Sequence, residues 1–108
     1  MPKFLYKANY TKDGLAGLLR EGGSSRAKAI QMVAESMGGT VESIYWAFGE
    51  TDVYLTVDLP DAISAGAVSA RVALSGAVNI TTTPLVTAED MDAIAAKSQS
   101  VEYRAPGT

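Results

Sequence analysis

Between Ser43 and Pro60 the chain reads S-I-Y-W-A-F-G-E-T-D-V-Y-L-T-V-D-L-P. Two apolar, β-rich runs flank the polar break Gly49-Glu50-Thr51-Asp52, the pattern of a β-hairpin. The expected register sets Phe48 opposite Val53. Ile44, Trp46, Phe48, Val53, Leu55 and Val57 then share one face. Ser43, Tyr45, Ala47, Tyr54, Thr56 and Asp58 share the other, because side chains alternate with a period of two and a one-residue slip would scatter both sets. The hairpin thus has an apolar side and a mixed side of hydroxyls, aromatics and a carboxylate.

Other elements follow from the same patterning. Lys3 to Tyr10 alternates as a first strand, with Phe4, Tyr6, Ala8 and Tyr10 on one side. Thr11-Lys12-Asp13-Gly14 reads as a break, and Leu15 to Leu19 as a short helical turn before Glu21-Gly22-Gly23. Ser24 or Ser25 can N-cap the next helix by accepting from an orphan backbone N–H. Ala27, Ile30, Val33, Ala34 and Met37 then recur at helical spacing, with Arg26, Lys28 and Glu35 outward, until Gly38-Gly39 ends the helix. Pro60-Asp61 opens a further helix, with Ile63, Ala67, Ala70 and Leu74 as its apolar stripe and Gly76 as its stop. Its many Ala, Ser and Gly residues allow close backbone approach. Val78 to Pro84 forms a fourth strand, and Pro84 suits an edge. Thr87 N-caps a short last helix with apolar positions Met91, Ile94 and Ala95. Gln99 to Thr108 carries no periodicity.

The order β-α-β-β-α-β plus a small helix predicts an α+β, ferredoxin-like subunit with an antiparallel sheet and both main helices on one face. The expected core is Trp46, Phe48, Val53, Leu55, Ile30 and Leu74. A single domain is expected over residues 1–98, with 99–108 as an irregular tail. The uncovered sheet face, with Tyr45 and Tyr54, is costly to leave wet, and packing against a second copy would cover it. A homodimer, or a higher oligomer built from dimers, is therefore expected.

Composition narrows the function classes. The chain has 108 residues, with hydrophobic content 47% and charged residues 19%, as in folded globular domains. Mean hydropathy is +0.09. A net charge of −3, without any Lys/Arg cluster, argues against nucleic acid as the partner. Cysteine and histidine are both absent. The first absence removes thiol chemistry; the second removes the commonest general base and transition-metal ligand. No metal and no cofactor are expected, and the acids Glu89, Asp90 and Asp92 read as helix-start residues. Met1-Pro2-Lys3 leads straight into a strand pattern and no apolar stretch approaches spanning length, so a cytoplasmic location without a membrane partner is expected.

Candidate chemistry lies on the mixed face. Tyr45, Tyr54 and Asp58 are read either as interface residues or as two phenols and a carboxylate orienting a small polar-aromatic ligand. Buried at an interface, Asp58 needs a partner or takes a raised pKa, which would suit a general base. Thr81 and Thr83, beside Asn79, form a β-branched polar face that extends the same candidate cavity. Arg26, in the first turn of its helix, opposes the helix dipole, so it is either solvated or paired with a carboxylate or anionic ligand. Gly49 and Asp52 are read as turn residues, Gly for a positive φ and Asp52 for its bonds to turn N–H groups. The alternative for Asp52 is a pocket rim.

The chain resembles the GYD-domain family. The matching pieces are Tyr10-Thr11 with Gly14, Arg26-Ala27, Gly38-Gly39, Tyr45-Trp46, Gly49 with Asp52, Pro60-Asp61, Thr83 and Thr87-Ala88-Glu89-Asp90-Met91, over roughly Tyr10 to Lys97. Thr51 stands where the family usually has tyrosine, so a role for that ring does not carry over. The resemblance implies kinship with the dimeric α/β-barrel group, in which two ferredoxin-like sheets face each other around a cavity. That group includes cofactor-free monooxygenases, haem-active enzymes, a lactone isomerase and effector-binding domains. It implies no single activity. Two classes stay open: a small-molecule-binding or interaction module, the preferred reading, and a cofactor-independent oxygenase or isomerase acting on a small aromatic or lactone.

Overall fold

The computed structural model describes all 108 residues. Its elements are β1 (Lys3–Tyr10), α1 (Lys12–Glu21), α2 (Gly23–Ser36), β2 (Thr40–Trp46), β3 (Val53–Asp58), α3 (Ala62–Leu74), β4 (Val78–Leu85) and α4 (Ala88–Ser98). The four strands form one sheet in the order β2-β3-β1-β4, every pair antiparallel. This is the ferredoxin-like arrangement expected from the element order. Against one face of the sheet, α2 packs on β2, α3 on β4, and α1 bridges α2 and β1. The buried centre comprises Phe4, Tyr6, Ala8, Val53, Leu55, Val57 and Leu59 with Ala34 and Ala65 from the helices. No helix is long and apolar enough to cross a membrane.

The hairpin keeps its expected faces but not its expected pairing. Trp46, not Phe48, lies opposite Val53, followed by Tyr45↔Tyr54 and Ile44↔Leu55. A displacement of two residues preserves the face of every side chain, which is why alternation alone does not reveal it. Asp52 supplies the physical cause. Its Oδ2 accepts from Tyr10 N–H at 2.9 Å, and its own N–H donates to Ala8 O at 3.1 Å and Asn9 Oδ1 at 3.0 Å. Drawn onto the end of β1, Asp52 lengthens the connection to Ala47–Asp52. Phe48 sits at its tip, fully exposed rather than in the core. Gly49 also departs from expectation, for its φ is not positive.

Three helix expectations change as well. Thr11-Lys12-Asp13-Gly14 is the start of α1, not a break, because the Thr11 hydroxyl accepts from Gly14 N–H at 3.2 Å. Gly14 is needed there: a Cβ would lie 1.9 Å from Ala77 O. Ser24 and Ser25 lie within the first turn of α2 and cap nothing, since Gly22 occupies the N-cap without a side-chain bond. In α3 the expected stripe is turned away, with Ile63 and Leu74 exposed while Ala65, Val68 and Val72 face inward. Two bonds set that rotation. The Asp61 carboxylate accepts from Ser64 N–H at 2.8 Å, and the buried Tyr6 hydroxyl donates to Ala65 O at 2.7 Å. Only a small residue at position 65 lets the Tyr6 ring sit beneath the helix.

The last element stands apart. Thr87 caps α4, as the sequence predicts, and the structure adds a reciprocal box with Asp90. No helix or strand packs along α4, and every residue from Val86 to Thr108 is exposed. The molecule is accordingly elongated, 56 × 33 × 23 Å.

Candidate functional site

Tyr45, Tyr54, Asp58, Thr81 and Thr83 all lie on the face of the sheet opposite the helices. Their register partners are Tyr45↔Tyr54, Lys7↔Tyr54, Lys3↔Asp58, Lys7↔Thr81 and Leu5↔Thr83. They do not converge. Asp58 lies four residues along β3 from Tyr54, about 13 Å away at strand rise. Lys3 Nζ bonds Asp58 Oδ1 at 2.9 Å and also the Glu42 carboxylate, which accepts from the Thr56 hydroxyl at 3.2 Å. The Ser43 and Thr56 hydroxyls pair at 2.7 Å. Those hydrogen bonds, Glu42 first and then Asp58, raise the Lys3 pKa. The polar groups at this end therefore satisfy one another. Tyr45 remains 72% exposed and Tyr54 40%.

A cavity lies on the other side, between the sheet and the helices. Its volume is about 510 Å³. Tyr6, Ala8, Val53, Leu55, Val57 and Ile80 form the floor, while Leu18, Ile30, Ala34, Val68 and Val72 supply walls from three helices. Small side chains create the space: Ala8, Ala34 and Gly17 face it where larger residues would close the gap between layers. Protein interiors leave few voids larger than a water molecule, whereas ligand pockets run to several hundred cubic ångströms.

The polar groups of this cavity are few. Tyr6 is only 2% exposed, and burial pushes its phenol up to about 12. The Tyr10 hydroxyl accepts from Trp46 Nε1 at 3.2 Å. Asp13, Glu21, Arg26 and Arg71 ring the lining. Arg26 meets Glu21 at 3.8 Å, a loose and partly exposed pair, and Arg71 makes no ion pair. Arg26 is thus separated by the sheet from the other five candidates and belongs to the cavity. The arrangement suits an apolar body with a polar or anionic end.

Reading the strands one at a time hides this site, because it arises from small residues spread over β1, α1 and α2. The signal available was the shortage of large residues on the helices, with only 7% aromatic residues in the whole chain. A family model described as GYD domain matches residues 4–95. No curated protein and no solved structure matches the chain. The match spans most of the sequence, and the chain belongs to the GYD-domain family.

Proposed function

We propose that this GYD-domain chain is a small-molecule-binding module, taking an apolar compound with a polar or anionic end into the helix–sheet cavity. The supporting observation is the cavity of about 510 Å³, apolar inside and flanked by Arg26 and Arg71. Burying an apolar ligand there removes both surfaces from water, at roughly 25 cal/mol per Å² of apolar area. A guanidinium at the rim orients the polar end, with a planar fork suited to carboxylate or sulfonate.

Binding is favoured over catalysis because proton-transfer groups are scarce inside. With its phenol pushed up to about 12, Tyr6 stays neutral at ordinary pH and serves as a hydrogen-bond partner rather than a base. Asp58, the carboxylate expected to act in the oxygenase or isomerase reading, lies across the sheet and is paired with Lys3. The same pairing leaves the open face with fewer free groups for a ligand held between two sheets.

Dye titration tests the reading. The full chain is expected to bind anionic anilinonaphthalene sulfonate and neutral phenylnaphthylamine, each with enhanced fluorescence. Ala34→Phe fills the cavity and should abolish both responses; Arg26→Gln should weaken only the anionic dye, by about tenfold. Near-ultraviolet circular dichroism of Trp46 reports folding, and Val33→Trp obstructs the cavity from a more exposed wall if Ala34→Phe misfolds. Unchanged affinity for both dyes in a folded, filled variant overturns the proposal.

A further inference from the structure

We infer that the cavity takes a monocarboxylate with an apolar body, and that the Tyr10 hydroxyl and the Arg26 guanidinium together read its carboxylate. The inference rests on the cavity reading. It adds the charge of the ligand and the end of the cavity at which that charge sits.

Tyr10 is the last residue of β1 and lines the cavity with Tyr6 and Ala8. Tyr6 has spent its hydroxyl proton, which it donates to Ala65 O at 2.7 Å. Tyr10 has not. Its oxygen accepts from Trp46 Nε1 at 3.2 Å, while its own O–H donates to no group of the protein. The indole takes one acceptor direction of that oxygen and so steers the O–H away from Trp46. A spare donor in an apolar lining gains most from an acceptor that carries charge.

Trp46 also sets this donor beside Arg26. A Cβ on Gly23 would lie 3.8 Å from the indole ring, so the first turn of α2 rests against Trp46. Arg26 follows Gly23 by three residues and projects from the same side of the helix. Its guanidinium approaches Glu21 Oε2 only at 3.8 Å, beyond hydrogen-bond length. The other Glu21 oxygen accepts from the Ser25 hydroxyl at 3.3 Å. Arg26 therefore keeps its planar fork for a second carboxylate. Because α2 starts without a side-chain cap or a first-turn acid, its N-terminus adds to the positive field at this end.

Burial selects this end over the one at Arg71. Arg71 makes no ion pair but is exposed, and charge contacts in open water contribute little. It sits on α3 above β4, at the opposite sheet edge from β2 and α2. Tyr10 and Arg26 are half-buried. Glu21 limits the charge, since a dianion beside its carboxylate would meet like charge where a monoanion balances Arg26. From Tyr10 to Tyr6 the floor runs four residues of β1, about 13 Å at strand rise, room for a phenyl ring on a short chain.

Hydrocinnamate and propylbenzene share an apolar body and differ in the carboxylate, so titration calorimetry of the full chain with each separates the two readings. Both are expected to bind. Tyr10→Phe and Arg26→Gln should each weaken hydrocinnamate by about tenfold and propylbenzene by less than about twofold. Glu21→Gln should tighten hydrocinnamate, and Arg71→Gln should weaken it less than Arg26→Gln does. Trp46 is the only tryptophan, and its indole N–H resonance should move downfield with hydrocinnamate, because an O–H that donates makes its oxygen a stronger acceptor. Arg26→Gln, at a partly exposed position, carries the comparison if Tyr10→Phe loses its fold. Hydrocinnamate affinity that depends on Arg71 more than on Tyr10 or Arg26 overturns the inference and leaves the cavity reading standing. Binding of propylbenzene alone does the same, and failure of both probes to bind overturns both.

Discussion

At the scale of the residue, Tyr6 joins more of the structure than any other side chain. It fills the buried centre, fixes the rotation of α3 through Ala65 O, and forms part of the cavity floor. Its folded pKa of about 12 lies above the unfolded value of 10.0. The resulting stability is complete below pH 10 and lost as the pH rises toward 12, because the unfolded chain releases the phenolic proton first. Tyr6→Phe should lower stability by about 1 kcal/mol at neutral pH and flatten this alkaline loss, as read by urea unfolding across that range. Thr82 offers the opposite case: its buried hydroxyl has no partner. Thr82→Val should therefore stabilise the fold by about 1 kcal/mol, in the same assay. Gly14→Ala should destabilise it by about 1–3 kcal/mol, since the new methyl would meet Ala77 O, whereas Gly49→Ala should be nearly neutral. Alternation set Tyr6 on the same side of β1 as Phe4, Ala8 and Tyr10, without telling which side is inward. It did not reveal the hydrogen bond across 59 positions of sequence that makes the residue decisive.

At the scale of the element, legibility followed the strength of the local signal. The N-cap Thr87 and the first-turn acids of α4 placed that helix from sequence alone. The strands were equally plain, and the faces of Ile44, Trp46, Val53, Leu55 and Val57 were read correctly. Loop length was not, because a two-residue displacement is silent in a pattern of period two and Asp52's bonds to β1 are non-local. Phe48 and Trp46 now separate the two registers experimentally. Trp46→Ala should cost about 3 kcal/mol and Phe48→Ser less than about 0.5 kcal/mol in denaturant unfolding. The expected register, with Phe48 buried, would make the second loss comparable to the first. In α3, Ala, Ser and Val occupy so many positions that no stripe dominates, and tertiary bonds choose the face. Leu74 was misplaced for that reason.

At the scale of the whole molecule, the layers leave a space, and the chain leaves an arm. Neither is a property of one segment. The cavity comes from small residues distributed over β1, α1 and α2, and much exposed area comes from a helix that makes no extensive contact with any other element. The sheet separates the cavity from the open face, and a ligand would enter on the helix side. The most direct measurement is chemical-shift mapping of the isotope-labelled full chain titrated with indole-3-acetate, an apolar ring bearing a carboxylate. Binding in the cavity should perturb Leu18, Ile30, Ala34, Val68 and Val72 together with Arg26. Shifts confined to Tyr45, Tyr54 and Thr81, or no saturable shifts at all, would contradict it.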